Sequence, residues 1–147
     1  MFYDTSDLRT DEIFLKLDKT AEGNLEKGWA DAYYLKICLI SCQTEVGECV
    51  FRVGNIEKLF FGGNIGYGVH ENYRGNKYAG KACMLLFKLA KRHGMKYLYI
   101  TCDPDNYASR RTCEYAGGQL KTIIELPTDN DMYKKGSRQK CIYFFEI

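Results

Sequence analysis

Apolar and polar positions alternate in strand fashion along the first third of the chain. Residues 12–17 (EIFLKL) interleave apolar and charged side chains, and residues 20–28 form a polar connector containing Gly23 and Gly28. Residues 31–41 (DAYYLKICLIS) and 47–53 (GECVFRV) are rich in β-branched, aromatic and cysteine side chains and flank the polar Gln43, Thr44 and Glu45, which predicts an antiparallel hairpin. Residues 55–64 end in Phe60-Phe61-Gly62-Gly63, a loop or strand start, and 65–69 read as a short strand with Gly66 and Gly68 inside it. Glycines within a strand mark a bulge or a place where another backbone or a ligand comes close.

The period then lengthens. Residues 79–92 carry Ala82, Leu86, Leu89 and Ala90 on one helical face and Lys77, Lys81, Lys88 and Arg92 on another, with Gly94 as the stop. Residues 97–102 (YLYITC) are apolar enough for burial on both faces, which predicts a parallel-sheet strand reached through a helical crossover. Asp103 to Asn106 breaks that strand, Asn106 suits the cap of a helix over 107–116, and Gly117-Gly118 suits its end. Strands over 119–126 and 140–147, joined by a polar loop over 127–139, complete the chain. Four strands, a helix, a strand, a helix and two strands predict a mixed α/β fold: an antiparallel start, one parallel strand-helix-strand crossover and an antiparallel finish.

Composition bounds this picture without redrawing it. A chain of 147 residues fits one domain over 1–147, and 46% hydrophobic content with only Pro104 and Pro127 argues against disorder. Seven cysteines, an odd count with no CxxC spacing, are expected as reduced core residues. The opening MFYDTSDLRTDE is acidic and polar, and no apolar run approaches bilayer-spanning length, so a cytoplasmic protein with no membrane partner is expected.

Charge changes the picture locally. The net charge is only +2, yet between Asn72 and Cys102 there is no acid and there are seven cations: Arg74, Lys77, Lys81, Lys88, Lys91, Arg92 and Lys96. An acid-free basic turn entering a helix, where orphaned amides carry partial positive charge, suits a phosphate-like anion. Gly75 permits a tight turn, so consecutive amides from Arg74 through Asn76, Lys77, Tyr78 and Ala79 to Gly80 can converge on a pyrophosphate. The rest of the lysine stripe reads as a solvated face, with Lys77 and Lys81 alone near the ligand. A sequence pI of 8.1 and the lack of arginine-aromatic interleaving argue against nucleic acid as a partner.

Two of these stretches carry a resemblance. Strand 65–69 followed by Arg74-Gly75-Asn76-Lys77-Tyr78-Ala79 and a helix resembles the acetyl-CoA-binding segment of the GCN5-related N-acetyltransferases (GNAT), R/Q-x-x-G-x-G/A. Asn106-Tyr-Ala-Ser109, followed by a helix and Gly117, is similar to that family's second element. The resemblance spans roughly 31–147 and implies a GNAT-like acyl-CoA N-acyltransferase fold, acetyl-CoA as cofactor and an amine acceptor as second partner. It further implies that the main chain of Tyr67 and Val69 pairs with the pantetheine arm, that Asn106 reaches the pantetheine, and that Ser109 lies close to the cofactor. Chemistry in the family is direct attack of a neutral amine on the thioester, with amides at a strand bulge polarising the carbonyl.

The chain departs from the family at three points. Lys77 stands where the pattern has glycine. Cys113 stands where many relatives place the tyrosine that protonates the leaving thiolate, and Tyr115, two residues on, is expected on the opposite helix face. No carboxylate lies within 65–69, which leaves Glu71, His70 and, on the preceding strand, Glu48 as candidate bases. The 12 residues from 19 to 30 are too few for the two helices that usually wall the acceptor pocket, so that pocket is expected to be truncated or built elsewhere, by loops 54–63 and 127–139 or by a second subunit. Phe60 and Phe61, or the edge over 140–147, offer a surface for a homodimer. The same departures keep open a second class, a non-catalytic acyl-CoA-binding or regulatory domain.

Overall fold

The computed structural model describes residues 1–55 and 59–147. Its strands are β1 (Ile13–Ala21), β2 (Ala32–Leu39), β3 (Glu45–Arg52), β4 (Ile65–Val69), β5 (Tyr97–Cys102), β6 (Gln119–Glu125) and β7 (Gln139–Glu146). Its helices are α1 (Leu59–Gly62), α2 (Tyr78–Arg92), α3 (Tyr107–Tyr115) and α4 (Asp131–Lys134). The strands form two sheets, β1-β2-β3-β4 and β5-β7-β6, and every pairing within them is antiparallel. The mixed α/β order expected from the sequence is therefore present, with β4-α2-β5 at its centre.

Several local expectations are corrected. β1 runs on to Ala21, so the polar connector begins later than residue 20 and holds only a single 3-10 turn, Leu25–Lys27. Part of the expected loop or strand start over 55–64 is α1, and residues 56–58 lie outside the described residues. Phe60 and Phe61 are half-buried rather than exposed, with the Phe60 ring edge-on to Tyr99 at 5.5 Å between centroids. The loop over 127–139 contains α4.

β5 is not buried on both faces. Leu98, Ile100 and Cys102 point inward while Tyr97 stays exposed, and the strand pairs antiparallel with β7. Its apolar outer face is satisfied by aromatic neighbours, with Tyr97, Tyr99 and Phe144 in mutual ring contact. The β4 ladder decides between the two readings of its glycines: its register to β3 runs unbroken from Gly47↔Val69 to Phe51↔Ile65, with no bulge. Gly66 and Gly68 thus serve close approach rather than an irregular ladder.

One apolar cluster joins the two sheets. Tyr33, Leu35, Ile37 and Phe51 of the first sheet meet Ala82, Leu86, Leu89 and Ala90 of α2, and these meet Leu98, Ile100, Tyr143 and Phe145 of the second. The alternation in β2 sets this arrangement, sending Tyr33, Leu35 and Ile37 inward and Tyr34 outward. All seven cysteines are free thiols, and all but Cys42 are buried. Among the described residues no helix is long and apolar enough to cross a membrane.

The basic stripe of α2 is tied down by the acidic N-terminal arm. Lys81 forms an ion pair with Glu12 and Arg92 one with Asp7, while Leu8 between those acids is completely buried. Lys81, expected near the ligand, is thus committed to the arm.

Candidate functional site

β4 and β5 meet only at their roots. The Asn64 amide donates to the Tyr99 carbonyl at 2.7 Å, and the Tyr99 amide donates to Asn64 Oδ1 at 3.0 Å. Asn64 is 1% exposed, and its Nδ2 donates to the carbonyls of Arg52 and Gly54, so this stitch is fully satisfied. Beyond it the strands belong to different sheets, which leaves one edge of β4 open. The His70 amide donates to Val46 O on the β3 side. Strand alternation then places the main-chain groups of Gly66 and Gly68 on that side and those of Tyr67 and Val69 on the open edge.

A short turn leads from this edge into α2. A 3-10 turn, Glu71–Tyr73, follows β4, and Arg74 Nε donates to Val69 O at 3.0 Å while Asn76 Nδ2 donates to Tyr73 O at 3.0 Å. Gly75 takes φ +89° and Lys77 takes φ +63°, ψ 22°, so the backbone turns left-handed twice before the helix. The Lys81 amide bonds to Lys77 O at 3.0 Å; the amides of Tyr78, Ala79 and Gly80 precede it and have no carbonyl one turn back.

These parts enclose a cleft of about 640 Å³ between the end of β4, the start of α2 and one face of α3. Tyr67, Val69, Arg74, Gly75, Lys77, Tyr78, Ala79, Gly80, Asn106 and Ser109 all line it. Arg74, Lys77 and Arg111 are its charged lining residues, with no acid among them. Asn76 does not line the cleft and instead buttresses the turn.

α3 is placed by its cap. Asn106 Oδ1 accepts from the Ser109 amide at 3.1 Å, and Gly117 closes the far end at φ +94°. Ser109 Oγ lies 2.7 Å from the Tyr67 hydroxyl, which bridges β4 to α3 across the cleft floor and also approaches Cys113 Sγ at 3.8 Å. Burial raises the Tyr67 phenol well above its ordinary value and pushes the Cys113 thiol up to about 12. Cys113 is completely buried, whereas His70 and Glu71 are exposed at the strand end, and none of the three lines the cleft.

The cleft also contains Tyr73, Ala108, Arg111 and Thr112, which the sequence reading passed over, together with Gly68, read as a point of bulge or close approach, and Tyr115, expected to face away. Ala108, Thr112 and Tyr115 recur at i, i+4 and i+7, one helical face that could have been extended from Asn106 and Ser109. The expectation that Tyr115 faces away rested on setting Cys113 toward the ligand. Cys113 points to the core instead, and a residue two positions on then points outward. Tyr115 packs over Gly80 so closely that a Cβ there would stand 2.3 Å from its ring, and the Lys77 ammonium sits 5.0 Å from the same ring centroid.

A second, smaller cavity of about 320 Å³ opens on the other side of β4, where Tyr67 and Gly68 line both. Its walls are the outward side chains of β1 to β4, including Asp18, Tyr34, Lys36 and Glu48. Among the described residues no cluster of histidine, cysteine or acid is arranged to hold a metal ion.

The first cleft fits the acyl-CoA implied by the resemblance. Orphaned amides and cations stand where diphosphate charge would lie, and a strand edge with no partner strand, its Val69 carbonyl accepting from Arg74 Nε, stands where an amide-bearing arm would pair. Solved structures share this frame. An acetyltransferase of the GNAT family from Bacillus anthracis aligns with a TM-score of 0.62 at 20% identity, over 77% of this chain and 65% of that one. The microcin self-immunity acetyltransferase MccE in complex with acetyl-CoA and AMP gives 0.61 at 23%, over 79% and 61%. The ribosomal L7/L12 alpha-N-protein acetyltransferase RimL in complex with coenzyme A gives 0.62 at 19%, over 83% and 64%. The chain thus spans less than two thirds of the length of each of these three, and at such identities the likeness concerns the fold. No curated protein sequence matches the chain. Residues 4–119, most of the sequence, match the family described as the acetyltransferase (GNAT) domain, and the chain belongs to that family.

Proposed function

We propose that the protein is an acetyl-CoA-dependent N-acetyltransferase that moves the acetyl group to a primary amine by direct attack. The observation that carries this reading is the continuity of the first cleft: the orphaned amides of Tyr78, Ala79 and Gly80 and the free edge at Tyr67 and Val69 line one cavity. Bound acetyl-CoA would supply the thioester. The amides at the start of α2, with Arg74 and Lys77, would hold its diphosphate. The Tyr67 and Val69 main chain would pair with the pantetheine amides as an added strand, and a free-edge amide would polarise the thioester carbonyl. The bound cofactors of MccE and RimL support the choice of ligand. The free thiols suit a reducing, cytoplasmic setting.

Calorimetry with acetyl-CoA, followed by thiol release with a panel of primary amines, tests the proposal. Saturable binding with amine-dependent release is expected, and no binding would overturn it. One observation favours a second reading, a non-catalytic acyl-CoA-binding domain: the relatives' acid position holds a completely buried thiol, Cys113, that does not line the cleft. That reading predicts binding without release by any amine.

A further inference from the structure

Gly66 and Gly68 are the starting point. With β4 in unbroken register, neither accommodates a bulge, and both open the floor of the second cavity. A Cβ on Gly66 would stand 3.1 Å from Val50, and one on Gly68 would stand 3.9 Å from Glu48 Oε1. Gly68 lies between the cavity and the cofactor cleft and lines both. The cavity and the cofactor cleft therefore meet at β4, with Tyr67 and Gly68 as their common wall.

The walls define the occupant. Glu48 pairs in register with Gly68 on one side and Lys36 on the other, and its carboxylate is 3.7 Å from the Lys36 ammonium. Lys36 also meets Glu45 at 3.5 Å, so it is shared between two acids. Asp18 is the extra residue of an irregularity between Leu17 and Lys19, and it lines the cavity without joining any ion pair among the described residues. Tyr34 already holds one ammonium, that of Lys19, 4.9 Å from its ring centroid. Asp18 and Glu48 against Lys36 leave the lining with one carboxylate in excess, which suits a cation.

Resting on the acetyltransferase reading, we propose that this groove on the outer sheet face binds the acceptor, that Glu48 takes its proton, and that acceptors bearing a second positive charge are preferred. The first sheet thus supplies the acceptor wall for which the short connector has no helices. In the step, an acceptor R–NH3⁺ gives one proton to Glu48, and through it to solvent. The neutral nitrogen forms the N–C bond at the thioester carbonyl, the C–S bond breaks, and the second surplus amine proton ends on the departing thiolate. The products are the amide, CoA–SH and one solvent proton. The second ammonium of the acceptor rests against Asp18, at the cavity's edge beside Tyr34.

The test compares 1,4-diaminobutane with butylamine. In thiol release the diamine is expected to have a kcat/KM about tenfold higher, the effect of one favourable charge contact. Asp18→Asn should remove that preference. Glu48→Gln should lower kcat about 100-fold, the scale of a lost general base, and flatten the acid limb of the pH profile while leaving acetyl-CoA affinity unchanged. The charged and titratable groups that line the cavity with Glu48 are Lys36 and Tyr34 from β2, Asp18 from β1 and Tyr67 from β4, and Glu45 from β3 shares Lys36 with it, so Lys36→Met should move the same limb. Independently of turnover, amide shifts in ¹⁵N-labelled protein titrated with 1,4-diaminobutane should fall at Asp18, Tyr34, Glu48 and Gly68. Shifts elsewhere, no shifts at all, or a Glu48→Gln variant with undiminished kcat would overturn the groove proposal. Failure to bind acetyl-CoA would instead overturn the acetyltransferase reading.

Discussion

Lys77 holds a left-handed backbone at the entrance to α2, at the position where the family pattern has glycine. For a residue with a Cβ this conformation costs about 1–2 kcal/mol, and the packing of the lysine stem and ammonium over Tyr115 offsets part of it. Replacing Lys77 by alanine keeps the strain and discards the ring contact; replacing it by glycine discards both. Lys77→Gly should therefore be more stable than Lys77→Ala by about 1 kcal/mol in urea denaturation. Equal stabilities would mean that the turn relaxes to negative φ. Gly80 is constrained differently, by space rather than by torsion. Gly80→Ala forces the Tyr115 ring off its seat and should weaken acetyl-CoA binding about tenfold, while Tyr115→Ala should restore most of the loss in the double variant. Additive effects in calorimetry would count against this contact as the cause.

Among the elements, the N-terminal arm has the clearest energetic consequence. Its sequence reads as acidic and polar, yet Leu8 is completely buried and its carbonyl accepts from the Leu15 amide at 2.9 Å, which anchors the arm to β1. Leu8→Ala should cost about 2–5 kcal/mol, as for a buried leucine with little room to collapse. Asp7→Asn, which breaks only the exposed pair with Arg92, should shift the denaturation midpoint far less. A larger loss for Asp7→Asn than for Leu8→Ala would show that charge rather than burial fixes the arm. The periodicity of α2 is read correctly from its sequence because the apolar stripe is strong. α3 is short and polar, so its two faces are not separable by composition alone.

Across the whole molecule, the arm, β2 and the end of α2 converge on one hydrogen-bonded group. The Tyr3 amide donates to the Tyr33 hydroxyl at 2.8 Å, and that hydroxyl lies 2.7 Å from His93 Nε2. Burial, reinforced by the N-terminal ammonium, lowers the His93 pKa below its usual 6.5, with Asp31 opposing. The unfolded chain then binds the His93 proton more readily than the folded one. The stabilising contribution is fully present above about pH 6.5 and is lost as pH falls through the lower folded value. Urea denaturation at about pH 5 and about pH 7 should show this loss, and His93→Gln should reduce the difference. An unchanged pH difference in the variant would place its origin elsewhere.

Local chemistry made much of this protein legible in its sequence. Alternation gave the hairpin over residues 31–53, the glycine and capping residues bounded α3, and the acid-free turn at Arg74 to Gly80 marked six of the cleft's residues, to which the family resemblance added Tyr67, Val69, Asn106 and Ser109. Each of these signals is carried by residues within one or two turns of one another. The tertiary structure alone decided which faces meet: Tyr115 over Gly80, the acidic arm on the basic stripe, β5 against β7, and the bare groove shared by four strands. These depend on contacts between residues tens of positions apart, where the energy of burial rather than local propensity selects the partner.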